Sequence, residues 1–415
     1  MNLPRCSDDL HERCCRAQNA QLQRLLLASI AILAGALTDC TNSLAADENR
    51  SFAHPGLLHS AEDFERMRSK IDQGAQSWLA GWQKLLANRH SSANWKPSPQ
   101  RIVYRGADGR HSENYAALFN DAAAAYALAL RWKVSRDDMY AEKAIQVLNA
   151  WSSTLTAIEG SSDRFLASGI YGYQLANAAE ILRDYEKWSP ADFARFQQMM
   201  LKIFYPMNHD FLVRHNGAKI DHYWANWDLA NMDSMLAIGV LTDRRDIYGE
   251  AIEYFREGAG NGAIKHLVWK IYDDGLGQLQ ESGRDQGHAM LCVALVGAFC
   301  QMAWNQGDDL FGYDENRVLR GAEYVAQYNL GRDVPFTPYT NSDVTQTRIS
   351  DTARGNTRPI WELLYNHYVV RKGLSAPNVE AFAHRVRPEG GGGDYGPNSG
   401  GFDQLGYGTL TFTLK

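Results

Sequence analysis

The sequence predicts an all-α protein folded as an α/α toroid, an incomplete barrel of antiparallel helical hairpins with a minor C-terminal β element. Three observations predict it. From His54 onward, apolar residues recur at i, i+3, i+4 and i+7 in one segment after another. Convincing alternation of apolar and polar residues is nearly missing. No fixed repeat length is visible, which disfavours a superhelical solenoid. A ring of hairpins is then the shape that buries so many successive helices in one chain.

The elements follow in order. Residues 1–24 are polar, and the apolar run Leu25–Leu37 follows Arg24 directly. Its length suits the core of a signal peptide and is too short to span a bilayer. Small residues follow, so cleavage near Ala45 or Ala46 is expected, with residues 1–46 an export segment of atypical leading region. The mature chain is expected in the periplasm or secreted, without a transmembrane segment. Leu37-Thr38-Asp39-Cys40 also resembles a lipoprotein box, although Asp39 stands where a small residue is usual, so a lipid anchor at Cys40 is the alternative.

Residues 47–389 are read as the toroid. Ala61–Ile71 and Trp78–Ala87 are short and amphipathic; Asn114–Trp132 and Asp137–Leu155 are long and Ala-rich. Tyr171–Trp188, Pro190–Val213, Leu229–Leu241, Asp246–Gly258, Asp285–Asn305, Asn316–Leu330 and Arg358–Arg371 complete the set. Ser189-Pro190 starts one helix with proline in its first turn, and Gly331 closes another. In residues 390–415, Gly390–Gly393 reads as a loop and Tyr407–Leu414 as one short strand packed on the same domain.

Composition narrows the function. The chain has 415 residues, 45% hydrophobic and 22% charged, as ordinary globular proteins do. Its net charge of −6 leaves no basic excess to neutralise nucleic acid. Beyond the export segment only Cys292 and Cys300 remain. Eight residues apart on one helix, they lie about 12 Å from each other, beyond the roughly 7 Å reach of a disulfide. Both are expected as buried free thiols, and no zinc or other metal cluster is expected. HExxH, GxGxxG, P-loop and GxSxG patterns are missing, and no cofactor is expected. No Asp-x-Asp-x-Asp loop demands calcium.

Polar and aromatic clusters at helix boundaries carry what chemistry there is. Asp221-His222-Tyr223-Trp224-Ala225-Asn226-Trp227-Asp228 stands before an apolar helix, where its residues serve either as caps and anchors or as ligand contacts. Glu281-Ser282-Gly283-Arg284-Asp285-Gln286-Gly287-His288 opens the most apolar helix of all. Arg284 and His288 share a face there if the helix starts by Asp285, and Glu281 could hold either one. Tyr171, Gln174 and Asn177 lie within two turns of one helix. Tyr365 and His367 lie on another, flanked by Arg354 and Arg358. Tyr339 sits in the rigid loop from Pro335 to Asn341.

Asn, His, Arg and Tyr together suit β-elimination on a uronic acid. The C5 proton is barely acidic while the neighbouring carboxylate is charged. An amide, imidazole or guanidinium must hydrogen-bond that carboxylate and stabilise the enolate-like intermediate. A Tyr or His then takes the proton, and a Tyr returns one to the leaving oxygen on C4. A tyrosine base needs a nearby cation to lower its pKa, and Arg284 or His288 is the expected source.

The stretches GIYGYQLANAAEIL, YWANWDLANMDSMLAIGVL, QLQESGRDQGHAMLCVALVGAFCQMAWNQG and RPIWELLYNHYVVRKGL resemble the alginate lyases of the α/α-toroid polysaccharide lyase type, through most of residues 54–373. ESGRDQGH is the most specific and resembles the branch active on mannuronan or glucuronan. The resemblance implies a lyase for an acidic polysaccharide or oligosaccharide. Its neutralising Asn falls on Asn226, its Arg on Arg284 and its His on His288. Asn-His followed by Tyr-Trp is usual in the family; here His222-Tyr223-Trp224 precedes Asn226, which leaves the role of His222 open. Tyr339, Tyr223 and Tyr365 are the candidates for the catalytic tyrosine, in that order. Tyr171, Gln174, Asn177, His222, Tyr223, Trp227, Glu281, Tyr365 and His367 are expected to bind substrate. Two rivals remain: an α/α-barrel glycoside hydrolase, which would need two carboxylates from Asp228, Glu281 and Asp285, and a non-catalytic acidic-sugar-binding protein.

Overall fold

The computed structural model describes residues 51–393 and 402–415. The expected export segment and Cys40 lie outside the described residues. Fifteen helices are named in chain order: α1 Ala61–Asp72, α2 Gln76–Ala87, α3 Ala116–Ser135, α4 Asp138–Thr154, α5 Arg164–Ile181, α6 Pro190–Met199, α7 Tyr205–Arg214, α8 Ala225–Leu241, α9 Arg245–Glu257, α10 Ile264–Leu267, α11 Gln286–Asn305, α12 Tyr313–Asn329, α13 Trp361–Tyr365, α14 Pro377–Val386 and α15 Gly408–Thr411.

Burial separates an inner from an outer layer. All 17 residues of α8 are buried, as are 16 of 18 in α5 and 16 of 20 in α11. Only 6 of 17 are buried in α4 and 5 of 13 in α9. Helices apolar all round go inside, and helices with one apolar stripe cover them. The inner helices α3, α5, α8 and α11 pack side by side in that order. Small residues let them close up: a Cβ added to Gly169 of α5 would lie 2.7 Å from the carbonyl carbon of Ala230 in α8. An outer helix leads back between successive inner helices, so the inner four run parallel. Their N-termini therefore gather at one end of the ring, and the clusters around Asn226 and Arg284 belong to that end.

Three small sheets decorate this frame. Ile102–Tyr104 (β1) pairs in parallel with Ala157–Glu159 (β2). Val268–Ile271 (β3) and Gly277–Leu279 (β4) are antiparallel, as are Tyr339–Thr340 (β5) and Thr345–Gln346 (β6). Cys292 and Cys300 are buried free thiols. Helix α11 is apolar enough to cross a bilayer, yet it is a core helix of the ring.

Two expectations need correction. The single helix expected over Pro190–Val213 is two, joined by a π turn at Met200–Phe204. Pro206 lies in the first turn of α7 and has no N–H for the helical ladder, so the chain widens by a residue just before it. The strand expected over Tyr407–Leu414 is instead the helical turn α15. Among the described residues no strand pairs with it. The Thr411 and Thr413 hydroxyls bond back to the carbonyls of Tyr407 and Thr409, at 3.1 and 2.7 Å. Leu410 packs its backbone on Gly81 of α2. Tertiary packing overrides the β-propensity of Thr and Phe here.

The C-terminal segment is held by Glu389, whose Oε1 accepts from the N–H groups of Trp361 and Glu362 at 3.0 and 3.1 Å, capping α13. Its Oε2 has no partner among the described residues. Burial, with the Glu362 charge adding to it, pushes this carboxyl up to about 8 from an ordinary value of 4.5. Between those values the folded state keeps a proton that the unfolded chain has lost, so stability falls as pH rises through the window. Glu389→Gln should flatten that fall and melt above the wild type at its alkaline end. A thermal melt series that leaves the slope unchanged would contradict this.

Candidate active site

The site is built from the heads of α8 and α11. Asp285 caps α11, accepting the His288 N–H at 2.8 Å, and its other oxygen meets His288 Nδ1 at 2.6 Å. Burial opposes ionisation of Asp285, but the His288 bonds and charge, then Arg284, hold its carboxyl below the usual range. The carboxylate fixes the ring: with Nδ1–H donated to Asp285, Nε2 carries the lone pair. The His288 side chain is 39% exposed, so that nitrogen can be reached.

Glu281 lies just ahead of this cap and is wholly buried. Its Oε1 accepts the Asn226 backbone N–H at 2.9 Å and the Asn226 side-chain Nδ2 at 2.6 Å. The Cys292 thiol donates to the same oxygen at 3.2 Å, and Arg284 Nη1 donates to Oε2 at 2.8 Å. A carboxylate only accepts, so this contact fixes which end of the Asn226 amide is nitrogen. Oδ1 and the second N–H of that amide are left for a ligand. The Arg284 guanidinium also lies 4.9 Å from the ring centre of Trp224.

Tyr339 stands behind the α8 head. Its hydroxyl donates to Asn261 Oδ1 and receives Gln280 Nε2, both at 3.3 Å, and Gln280 in turn accepts the Ala225 N–H at 3.2 Å. Burial raises the Tyr339 pKa, and the charges of Asp221 and Glu281 add to it while the Gln280 bond opposes. The charges that bear most on this hydroxyl are these acidic ones, and not the cation expected to lower it. Tyr339 is thus a neutral phenol, suited to donating a proton.

Beneath the site Asp228 bonds His215 Nε2 at 3.0 Å and the Gly262 N–H at 2.8 Å, with the Tyr254 hydroxyl 3.3 Å from the same imidazole nitrogen. This buried group ties down the loop that carries Asn261. Asp228 and Glu281 are both buried with their oxygens engaged, and Asp285 is held by His288, so none of the three is free to flank a scissile bond as a glycoside hydrolase requires.

The alginate lyase family model matches residues 69–334, more than half of the chain. The chain belongs to the alginate lyase family. It is accordingly a polysaccharide lyase. Its fold is similar to an alginate lyase from Bacteroides ovatus, with a TM-score of 0.60 and 14% identity over 88% of this chain and 100% of that one. It is also similar to alginate lyase A1-III from Sphingomonas species A1, with a TM-score of 0.59 and 15% identity over 88% and 99% of the two chains. A variant of alginate lyase A1-III complexed with a tetrasaccharide matches with a TM-score of 0.58 and 14% identity, over 85% and 94%. At these identities the likeness shows the α/α-toroid fold. No curated protein matches the chain.

Within this family member the other expected contacts are placed as follows. Asn226, Glu281, Arg284 and His288 come together at the two helix heads, but buried Glu281 positions its neighbours and cannot itself touch substrate. Asn177 is spent on packing, its Oδ1 accepting the Leu58 N–H at 2.9 Å, whereas Gln174 Nε2 donates to the Phe402 carbonyl at 2.5 Å and its buried Oε1 has no partner among the described residues. Trp227 is core, against Phe211 and Tyr223. The Tyr223 hydroxyl receives Asn216 Nδ2 at 3.0 Å. His367 is buried and stacked 3.8 Å from Phe311, and burial pushes its pKa down to about 3. Tyr365 packs beside His384 of α14. His222 is exposed and paired with Asp343 at 2.8 Å. Tyr171 is buried with its hydroxyl toward Arg105.

Sequence reasoning missed Trp224 as the partner of Arg284, and it missed Arg105 and Tyr115 altogether. Two tryptophans three residues apart gave no sign of which would face inward. Arg105 follows a three-residue strand with no periodicity to place it.

Removing the Glu281 carboxylate leaves the Asn226 N–H groups, Arg284 and the Cys292 thiol without their acceptor. Glu281→Ala should cost about 3–5 kcal/mol, the scale of breaking a buried ion pair, in urea unfolding, and Glu281→Gln less. A loss below about 1 kcal/mol, the scale of a surface pair, would contradict the role given to this carboxylate.

Proposed function

We propose that the protein cleaves a 1,4-linked polyuronate, poly-mannuronate or glucuronan, by β-elimination and leaves a 4,5-unsaturated uronate end. The arrangement at Glu281 carries the reading: one buried carboxylate aims an amide and a guanidinium from the heads of two inner helices. Helix N-termini add positive potential at that end of the ring. The relatives named alginate lyases support an acidic polysaccharide as substrate, and the rejection of the hydrolase acid supports elimination.

In the proposed reaction Asn226 and Arg284 hold the carboxylate of the unit being cleaved. As the C5 proton leaves, charge moves onto that carboxylate, where their N–H groups stabilise it. In the neutral ring the Nδ1 bond to Asp285 places the lone pair on Nε2, and His288 Nε2 accepts the proton. The neutral Tyr339 hydroxyl is the candidate to supply one to the departing O4. Mannuronate and glucuronate share configuration at C4 and C5, so one set of groups serves either. Export to the periplasm or the medium suits so large a substrate, with a lipid anchor at Cys40 as the other arrangement.

Incubation with poly-mannuronate and glucuronan should release products that absorb in the ultraviolet, from the C4=C5 double bond conjugated to the carboxylate. New reducing ends without that absorbance would make the protein a hydrolase, and binding without cleavage would make it a sugar-binding protein. Asn226→Ala should lower kcat by about 10²-fold, the effect of losing one preorganised donor, with much less change in KM. His288→Ala should lower kcat by about 10²–10⁴-fold, the range for a general base. If His288→Ala keeps wild-type turnover while Tyr339→Phe abolishes it, the base is the tyrosine.

A further inference from the structure

Arg105 lies at the end of β1, against Tyr115 at the entry to α3 and Tyr171 of α5. Its guanidinium carbon is 5.0 and 5.6 Å from the centres of those two rings. Its hydrogen bond is a long one, Nη1 to the Tyr171 hydroxyl at 3.4 Å. Burial raises the Tyr171 pKa, so that hydroxyl stays neutral and cannot balance the charge. Arg284, Arg358 and Arg387 each hold a carboxylate within hydrogen-bond distance, at 2.8, 3.1 and 2.5 Å. Arg105 has none. The charges of Asp403 and Asp163 bear on it, but neither is bonded to it. Nε and Nη2 of its guanidinium have no partner among the described residues and are not sealed from solvent.

A guanidinium set between aromatic rings, with the donors of Nε and Nη2 unspent, is a receptor for a carboxylate. Half-buried rings adjoin it. Phe119 lies 5.7 Å from Tyr115 and 6.1 Å from Tyr171, and Phe402 lies 5.2 Å from Phe119. An aromatic row beside a carboxylate fork matches a uronic acid, which has an apolar ring face and one carboxylate. The group shares the ring with the Asn226–Arg284 site: Asp403, bonded to Arg358, feels the charges of both Arg105 and His288.

We propose that Arg105, with Tyr115, Tyr171 and Phe119, forms a second uronate-binding subsite that holds the carboxylate of a unit other than the one being cleaved. The proposal rests on the polyuronate reading above, so its test is a binding measurement. Titration calorimetry would use tetra-mannuronate and tetra-glucuronate on His288→Ala protein, with and without Arg105→Met. The Arg105→Met change should weaken binding about 10- to 100-fold, the worth of a hydrogen bond to a charged group. The same tetrasaccharides with one terminal carboxyl reduced to the alcohol should lose that factor against the Arg105 protein when the reduced end occupies this subsite. They should lose nothing further against Arg105→Met. Arg105→Lys, which keeps the charge without the fork, should fall between and serves if the methionine variant does not fold. Equal affinity of the Arg105 and Arg105→Met proteins for both tetrasaccharides would overturn the inference, as would a penalty for carboxyl reduction that persists in Arg105→Met. Wild-type protein that binds through Arg105 but produces no ultraviolet-absorbing ends would overturn the elimination reading and leave the subsite standing.

Discussion

Everything at the head of the ring depends on one buried carboxylate. Glu281 gathers a backbone N–H, an amide, a guanidinium and a thiol around two oxygens. A carboxylate taken out of water is costly unless its lone pairs are filled with good geometry. Here that cost is offset by donors from three places in the chain: the first turn of α8, the loop before α11 and the body of α11. Those donors are thereby locked in orientation, which is what a preorganised site requires. The Asn226 amide cannot flip without placing its oxygen against the carboxylate. Arg284 is fixed on one side by Glu281 and leans on Trp224 on the other.

The ring explains why the site forms where it does. Inner helices that return through outer partners run parallel, so their N-termini meet at one end. The orphan N–H groups and positive dipole ends of those helices favour an anion. Asp285 satisfies part of this demand at α11 and orients His288 in doing so. A polyanionic substrate meets the same field and finds guanidinium groups placed within it. The net negative charge of the whole protein does not oppose this, since surface charges a Debye length away are screened.

The architecture was legible in the sequence wherever periodicity was long. The inner helices stood out because they are apolar all round, and ESGRDQGH was readable because its cap is local: Asp285 and His288 are three residues apart. Breaks were harder. The π turn before Pro206 hides inside an otherwise helical pattern, and a Thr-rich tail reads as strand until its hydroxyls are seen closing a helical turn. Roles that depend on distant partners left no trace. Glu281 meets Asn226 across 55 residues, and Gln174 meets the Phe402 carbonyl across 228. Spacing alone made Glu281 and Gln174 equal candidates for ligand contact, while the fold makes one a hub and the other a tether. The surroundings of Tyr339 were hidden for a similar reason: which charges lie around it is set by a hairpin and two loops that no local pattern joins.

The central claim is that Glu281 acts on the reaction through Asn226. A double-mutant cycle on kcat reads this coupling directly, using Glu281→Gln, Asn226→Ala and the pair on a polyuronate substrate. If Glu281 works by orienting the amide, the double variant should be no slower than Asn226→Ala alone, within the error of the rates. Losses that multiply, each substitution costing as much in the other's presence as in its absence, would contradict the account.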